Sequence, residues 1–243
     1  PPAHDLSAQQ LRHERPQADN VSNGAAIPTL RKHTDTHDAA HIPGSSSIFL
    51  NGNKKLFYSG DINTINTRLL NRPSQERPDA DALIIEGTYF AINHTPRFDL
   101  EIAFIDSIIE TIENGGSAII PCFALGRTQE ILLILDNFNI TPYLDGMGIG
   151  ILKILYEYPD YIRDVNALER AFNNTIIVDP KKRKSILDQP SVIVTTAGML
   201  EGGPVLFYVD KIKNDELSRI LFTGYQMEGT NGRKALEKGY IEV

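Results

Sequence analysis

The sequence contains very little cysteine: Cys122 is the single thiol in 243 residues. One thiol excludes an intramolecular disulfide framework and any zinc knuckle built on several cysteines, so a bound metal would need histidine and carboxylate ligands. Long hydrophobic runs are absent too. The longest is Ile131–Leu135, whereas a membrane-spanning helix needs about 20 apolar residues. The chain opens on Pro1–Asp5 rather than on a signal peptide. We therefore expect no membrane contact and a cytoplasmic protein.

Positive charge is in the minority. The chain has 24 Lys and Arg against 31 Asp and Glu, a formal net charge of -7. This balance excludes a uniformly basic surface for nucleic acid but leaves room for a local basic groove. Hydrophobic residues make up 41% of the chain, which is too many for a disordered protein. The length suits one large domain or two modest ones.

Hydrophobic periodicity predicts an α/β fold from His41 onward. Ser46–Leu50 and Lys55–Tyr58 should form a hairpin across Asn51–Asn53, and Ala82–Ile85 should be a buried strand. Further strands are predicted at 117–121, 141–144, 175–178, 191–195 and 219–223. Helices are predicted at 98–114, 128–138, 148–157, 166–172 and 204–212. Alternating strands and helices indicate a mainly parallel sheet covered on both faces. Residues 1–40 should be a loop-rich or poorly ordered arm, with a short helix near Leu6–Arg15 as an alternative.

Two polar positions near the predicted hairpin could bind a metal. His41 precedes the first strand in a turn-forming segment, and Asp61 follows the second strand directly after Gly60. Imidazole and carboxylate are the ligands that zinc prefers where thiolates are absent. The alternative is a turn histidine and a helix N-cap aspartate.

Glu86 and the segment Phe123–Arg127 follow predicted strands. An acid at the end of a buried strand occupies the edge where α/β proteins bind ligands, although Glu86 could equally cap a turn. Gly126 and Arg127 lie between a strand and a helix, where backbone N–H groups and a guanidinium would suit a phosphate. The alternative is that Arg127 pairs with an acid and fixes the turn.

Two glycine-rich loops follow later strands. They contain Gly198 and Gly224, and Arg233 follows the second loop. They could offer backbone donors to an anion, but their glycine spacing matches neither a P-loop nor a dinucleotide fingerprint. The basic run Lys181–Lys184 is more typical of a solvated loop than of a binding site. Cys122 is predicted to be an inert buried thiol.

Taken in order, these segments resemble the β-CASP branch of the metallo-β-lactamase-fold nucleases, over roughly residues 38–243. The resemblance implies a partial metallo-β-lactamase domain at residues 1–92, with 1–30 loop-rich, and an inserted β-CASP domain at 93–243. In that family the segment at Ala40–Ser45 supplies a histidine ligand, here His41. The segment at Tyr58–Asp61 supplies the aspartate that bridges two zinc ions. Glu86 matches an acid that orients a metal-binding histidine through a hydrogen bond.

The resemblance also implies the substrate and the reaction. The loops that contain Gly126 and Arg127, Gly198, Gly224 and Arg233 correspond to loops that face the active-site groove. The implied activity is zinc-dependent hydrolysis of single-stranded RNA, with two zinc ions in the complete site. A silent RNA-binding or scaffold subunit and a metallo-hydrolase of small anionic esters are the alternatives. The sequence leaves three questions open: whether the substrate is RNA or DNA, whether cleavage is endonucleolytic or exonucleolytic, and whether the protein forms a homodimer.

The sequence departs from the family pattern at the metal signature. The family has His-x-His-x-Asp-His upstream of the position of His41, whereas this chain has His33-Thr34-Asp35-Thr36-His37-Asp38. We interpret His33 and His37 as residues on a strand face, because a strand precedes this motif in the family. The later histidine motifs would follow the Gly224 loop, beyond Val243. We therefore expect the chain to be a fragment that binds metal weakly, if at all.

Overall fold

The computed structural model describes residues 34–74 and 78–239, and its strands form two separate sheets. The first sheet has the order β1-β2-β3-β4. Its strands are β1 (Thr34–Asp38), β2 (Ser46–Asn51), β3 (Lys55–Tyr58) and β4 (Ala82–Ile84). The pairs β1–β2 and β2–β3 are antiparallel, and β4 runs parallel to β3. Phe49 lies opposite Phe57, and both rings are buried. The predicted hairpin is therefore confirmed.

Two expectations for this region are wrong. Residues 34–38 of the predicted loop-rich arm form β1, while residues 1–33, with the alternative helix near Leu6–Arg15, lie outside the described residues. The strand at Ala82–Ile85 was expected to be buried, but Leu83 is 59% exposed and Ile84 52%. Neighbouring strand residues point to opposite faces, so both faces of β4 are open. The reason is that no layer of the described residues packs on either face of β4.

The second sheet is entirely parallel and has the order β7-β6-β8-β5-β9. Its strands are β5 (Ala118–Pro121), β6 (Tyr143–Asp145), β7 (Ile176–Ile177), β8 (Val192–Thr195) and β9 (Arg219–Ile220). The predicted strand at 219–223 is thus shortened to two residues. Parallel strands place all their carboxyl ends at one edge, and the loops that the sequence singles out begin there.

Helices cover both faces of the parallel sheet, as predicted. They are α1 (Arg97–Glu113), α2 (Arg127–Asn137), α3 (Gly148–Glu157), α4 (Val165–Asn173), α5 (Arg183–Ile186), α6 (Val205–Ile212) and α7 (Asn231–Lys238). Ala118 and Ile120 belong to the apolar core with α1 to α4, whereas Ile119 packs with α5 and α6. The alternation follows from the two-residue period of a strand. None of the helices in the described ranges is long and apolar enough to cross a membrane.

Two helices differ in detail from what the hydrophobic periodicity of the sequence predicts. In α1 the buried stripe includes Ile105 and Ile108, while Ile109 is exposed. Helix α7 was not predicted, because its apolar residues are too few to give a period. The two ends of α7 nevertheless carry capping residues. The Thr230 side chain accepts a hydrogen bond from the Arg233 N–H at the N-terminus, and Gly239, with φ of 73°, is the C-cap.

A buried ion cluster joins helices α1 and α2 to the loop that connects β3 and β4 of the first sheet. The Glu130 carboxylate on α2 accepts the backbone N–H groups of Arg68, at 2.9 Å, and Leu69, at 2.7 Å. Arg97 pairs with both Glu130 and Glu101, and Arg68 donates two hydrogen bonds to Glu101, at 2.9 and 2.6 Å. Both carboxylates are buried. Two cations therefore balance two anions, and each acid receives several donors.

Replacing one member of this cluster should destabilise the protein. We expect Glu130→Ala to lower the free energy of unfolding by about 3 kcal/mol, because two backbone donors and one arginine lose their acceptor. Chemical denaturation followed by circular dichroism measures the change. Glu110→Ala is the matched control, since Glu110 on α1 pairs with Arg219 at the surface. Exposed pairs contribute little, so equal losses for both variants would contradict a special role for the cluster.

Candidate functional site

The structure brings His41 and Asp61 together. Their Nε2 and Oδ2 atoms are 3.9 Å apart, and the side chains are 46% and 71% exposed. This separation is too long for a hydrogen bond. Two ligands of one tetrahedral zinc ion lie about 3.4 Å apart, so the pair fits a shared ion after a small movement. The described ranges, 34–74 and 78–239, contain no cluster of three or more His, Cys, Asp or Glu that could hold a metal.

The turn that presents His41 is held by side chains around it. Ala40 has a positive φ of 53°, a conformation that costs a non-glycine residue about 1 kcal/mol or more. The Asp38 carboxylate accepts the Ala40 N–H at 2.8 Å. Ser45 Oγ accepts the N–H groups of His41, at 3.0 Å, and Ile42, at 3.2 Å. Strain of this kind persists only where neighbours impose it, and it is typical of functional turns.

A backbone bond ties the Asp61 loop to the His41 turn. The Asn63 N–H donates to the Ala39 carbonyl at 2.9 Å. Gly60, immediately before Asp61, has φ of +57°, which lets the chain turn away from β3. The two candidate ligands are thus fixed relative to each other by main-chain contacts rather than by their own side chains.

Glu86 lies at the end of β4 beside the same loop. Its N–H donates to Ser59 Oγ at 3.2 Å, and Ser59 directly precedes Gly60. Its carboxylate accepts the Thr88 N–H at 2.8 Å. The side chain therefore caps its own turn, which is the alternative that the sequence left open.

Of the two upstream histidines, His37 lies within the described residues, and it does not join the pair. His37 lies in β1, as expected for a residue on a strand face, and its ring centroid is 5.9 Å from that of Phe57. Its Nε2 is buried and has no hydrogen-bond partner among the described residues. His33 lies outside the described residues.

The Gly126 turn packs directly on the His41 turn. A Cβ atom added to Gly126 would lie 2.7 Å from Ile42 Cγ2, and its φ is +83°, so glycine alone fits this contact. The buried Gln129 side chain accepts the Gly126 N–H at 2.7 Å and donates to the Ala124 carbonyl at 3.0 Å. Sequence reasoning missed Gln129, although a glutamine three residues into a helix is a known capping signal.

Arg127 is a half-buried cation at the start of α2. Among the described residues, its side chain has no hydrogen-bond or ion-pair partner. The alternative proposed from the sequence, that Arg127 pairs with an acid to fix the turn, is therefore wrong for this part of the chain. The turn is fixed by Gln129 instead.

The Gly198 and Gly224 loops converge on Phe123. A Cβ atom at Gly198 would lie 3.1 Å from the Phe123 nitrogen, and one at Gly224 would lie 3.5 Å from Phe123 Cε2. The buried Gln226 amide links the loops, because its Nε2 donates to the carbonyls of Gly198, at 3.1 Å, and Gly224, at 3.0 Å. Three loops from distant parts of the sequence thus form one surface at the carboxyl edge of the parallel sheet.

The other predicted anion contacts have protein partners. Arg233 donates to Glu237 at 2.5 Å, and this bond raises the pKa of Arg233 above its usual value. Arg183, from the basic run, makes two hydrogen bonds to the buried Asp145, at 2.6 and 3.0 Å, which raise its pKa too. The prediction of a solvated loop is therefore wrong for Arg183. The sequence had given no role to Asp145.

Cys122 is fully buried, as predicted. Burial raises the pKa of its thiol to about 12, against the weaker influence of a contact with Thr223. The thiol is therefore protonated at neutral pH, and the sulfur lies 3.5 Å from Thr223 Oγ1.

Comparison with known proteins connects this arrangement to nucleases. Residues 128–235 match the Beta-Casp domain. The chain is 41% identical over 216 residues to "Probable RNase MJ4" of Methanocaldococcus jannaschii, covering 84% of this chain and 50% of the relative. It is 36% identical over 211 residues to "RNase aCSPSF2" of Saccharolobus solfataricus, covering 85% and 43%.

A termination factor is also similar. "Transcription termination factor FttA" of Methanococcus maripaludis is 37% identical over 230 residues, covering 85% of this chain and 36% of the relative. The chain thus spans half or less of the length of these relatives. The resemblance inferred from the sequence motifs is confirmed: the chain contains a Beta-Casp domain and is a homologue of RNases of the β-CASP family.

Proposed function

We propose that this chain is part of a zinc-dependent ribonuclease that hydrolyses phosphodiester bonds of single-stranded RNA. The observation that carries the proposal is the exposed pair of His41 Nε2 and Asp61 Oδ2, 3.9 Å apart on two loops joined by a backbone bond. The RNase names of the relatives support the reaction class. The proposal also assigns residues 1–92 to a metallo-β-lactamase domain and residues 93–243 to the β-CASP domain.

The donor chemistry fits zinc. His41 would hold the metal through its neutral imidazole, and Asp61 would hold it through a carboxylate that accepts no hydrogen bond within the described ranges. When bound, zinc would lower the pKa of a water molecule and neutralise charge on the scissile phosphate. Two ligands do not complete a zinc site. The proposal therefore requires further ligands from outside residues 34–74 and 78–239.

Arg127 would bind a phosphate of the same substrate strand. It is half-buried, begins α2 and sits next to Gly126, whose turn packs on Ile42 beside His41. A guanidinium favours an anion, whereas the N–H groups of Gly126, Arg127 and Thr128 already donate to acceptors within the turn, so the cation is the group that would bind the phosphate. Arg233 is a weaker candidate, because it would have to leave Glu237. Glu86 would support the site by holding the loop after β4 next to Ser59.

Removing the Asp61 carboxylate should abolish cleavage. In the complete protein that carries this chain, we expect Asp61→Ala to eliminate zinc-dependent RNA hydrolysis, because the metal loses a ligand and Asp61 has no structural bond to lose. Gel analysis of labelled RNA with zinc and with chelator measures the effect, and circular dichroism checks the fold. Asp160→Ala serves as the control, because Asp160 is exposed, far from His41 in the sequence and outside both sheets. Cleavage by Asp61→Ala at the wild-type rate would refute the assignment.

Removing the Arg127 cation should weaken RNA binding in a salt-dependent way. We expect Arg127→Ala to reduce affinity and to lower the slope of log K against log salt by about 1, the value for one lost phosphate contact. Fluorescence anisotropy in chelator, across a salt series, gives this slope without cleavage.

The control is Arg170→Ala, which removes an exposed arginine that pairs with Asp136 on the helical layer. We expect its salt slope to equal that of the wild type. Identical slopes for Arg127→Ala and the wild type would show that Arg127 contacts no phosphate.

A silent RNA-binding subunit is the second candidate. It is favoured by one observation, that the described ranges contain no third metal-ligating residue near His41 and Asp61. Zinc analysis of the complete protein distinguishes the two. About two zinc ions per chain with chelator-sensitive cleavage support the nuclease. RNA binding without metal or cleavage supports the silent subunit.

A further inference from the structure

Three exposed aromatic side chains lie on the loops around the candidate site. Tyr89, Phe123 and Tyr225 are 42%, 40% and 41% exposed. They follow β4, β5 and β9, respectively. We call these three residues the aromatic stripe. Exposed aromatic rings cost free energy in water, so three of them next to each other indicate a surface that binds something.

The three rings are connected through contacts. The rings of Tyr89 and Tyr225 meet edge to face, with centroids 5.9 Å apart and planes at 90°. The Gly224 backbone, which precedes Tyr225, approaches the Phe123 ring, because an added Cβ would lie 3.5 Å from it. In an edge-to-face pair one ring contributes only its edge, so the partner ring does not cover its faces. Tyr89 also meets the His94 ring edge to face, with centroids 4.5 Å apart, so Tyr225 and Phe123 are the rings with more surface left for a planar ligand.

The stripe runs beside the polar groups of the proposed site. Tyr89 lies in the loop that begins at Glu86, whose N–H bonds Ser59 two residues before Asp61. The Phe123 carbonyl accepts the Thr128 N–H at 3.1 Å and the Thr128 hydroxyl at 2.7 Å, in the first turn of α2. Arg127 belongs to the same turn. The loops that carry the aromatic rings therefore lie beside Arg127, which has no ion-pair partner among the described residues.

We propose that the aromatic stripe stacks the unpaired bases of single-stranded RNA. The inference rests on the proposed function and deepens it by naming the residues that select an unpaired strand. Every base has a π-face, so stacking tolerates any sequence, and a phosphate of the same strand would reach Arg127. The bases of a duplex are already paired and stacked on one another, so they are not available to stack on the aromatic stripe. An apolar polypeptide would use the rings but would leave the Arg127 cation unpaired.

The test compares RNA with and without bases. The probes are a fluorescein-labelled 12-nucleotide RNA and an abasic oligonucleotide with the same sugar–phosphate backbone, bound to the complete protein in chelator. We expect Tyr225→Leu to weaken binding of the RNA by about tenfold, a typical loss for one stacked base. Binding of the abasic strand should not change, because it never stacks.

Two further variants separate stacking from folding. Tyr225→Phe keeps the ring, so it should bind RNA as the wild type does and rescue the loss seen in Tyr225→Leu. Tyr161→Leu is the matched control, since Tyr161 is also exposed and lies near another tyrosine, Tyr158, with centroids 6.5 Å apart. It should leave RNA binding unchanged. Thermal denaturation of each variant shows whether the fold is intact.

The remaining outcomes overturn the inference in distinguishable ways. If the wild type cleaves RNA but Tyr225→Leu binds it with unchanged affinity, the stripe is not a base platform and the proposed function stands. If Tyr225→Leu binds RNA normally but melts at a lower temperature, the stripe is covered by protein. If the wild type binds RNA and the abasic strand equally, stacking is refuted. If it neither binds nor cleaves RNA, the proposed function fails as well.

Discussion

The buried carboxylate of Glu130 is the constraint on which the arrangement of this protein depends. It accepts two backbone N–H groups from the loop between β3 and β4 of the first sheet and pairs with Arg97 on α1. Glu130 is only one turn from Gly126, and its N–H bonds the Gly126 carbonyl. The same contact that joins the two parts of the molecule therefore sets the position of the Gly126 turn. A buried acid fixes this position strongly, because N–H donors left without their acceptor would destabilise the folded state.

The candidate site follows from that placement. Gly126 meets Ile42 at a distance that no larger residue allows, and Ile42 is the neighbour of His41. On the other side, Phe123 receives the Gly198 and Gly224 loops. The loops that contain Gly126, Gly198 and Gly224 leave the parallel sheet at its carboxyl edge, where α/β proteins bind ligands, while the His41 turn belongs to the first sheet. The site is thus made by packing between loops, and its functional groups come from segments far apart in sequence.

The charge balance acquires a specific meaning in the structure. The net charge of -7 argued against a basic surface. Several arginines in the described ranges are in fact bound to acids, among them Arg68, Arg97, Arg170, Arg183, Arg219 and Arg233. Arg127 is an exception, because no acid in the described ranges pairs with it. A protein with a net negative charge can therefore still present an arginine without a counter-ion beside the candidate site.

The sequence by itself determined the α/β fold, most element positions and the groups of residues that form the site. These features are local: periodicity fixes strands and helices, and glycine turns after strands mark the functional edge. Even α7, which lacks a period, had recognisable caps in Thr230 and Gly239. The order and spacing of five motif segments, from Ala40–Ser45 to the loop that contains Gly224, carried the resemblance to the family before any geometry was known.

Only the tertiary structure decided which of these residues have partners. It showed that β4 is open on both faces, that Arg183 pairs with Asp145, and that Arg127 has no counter-ion in the described ranges. It also placed His41 and Asp61 3.9 Å apart and brought Tyr89, Phe123 and Tyr225 onto one surface. Burial and pairing depend on contacts between segments tens of residues apart, and no local pattern encodes those contacts. For this reason the sequence indicated the types of functional group, whereas only the structure gave the distances between them.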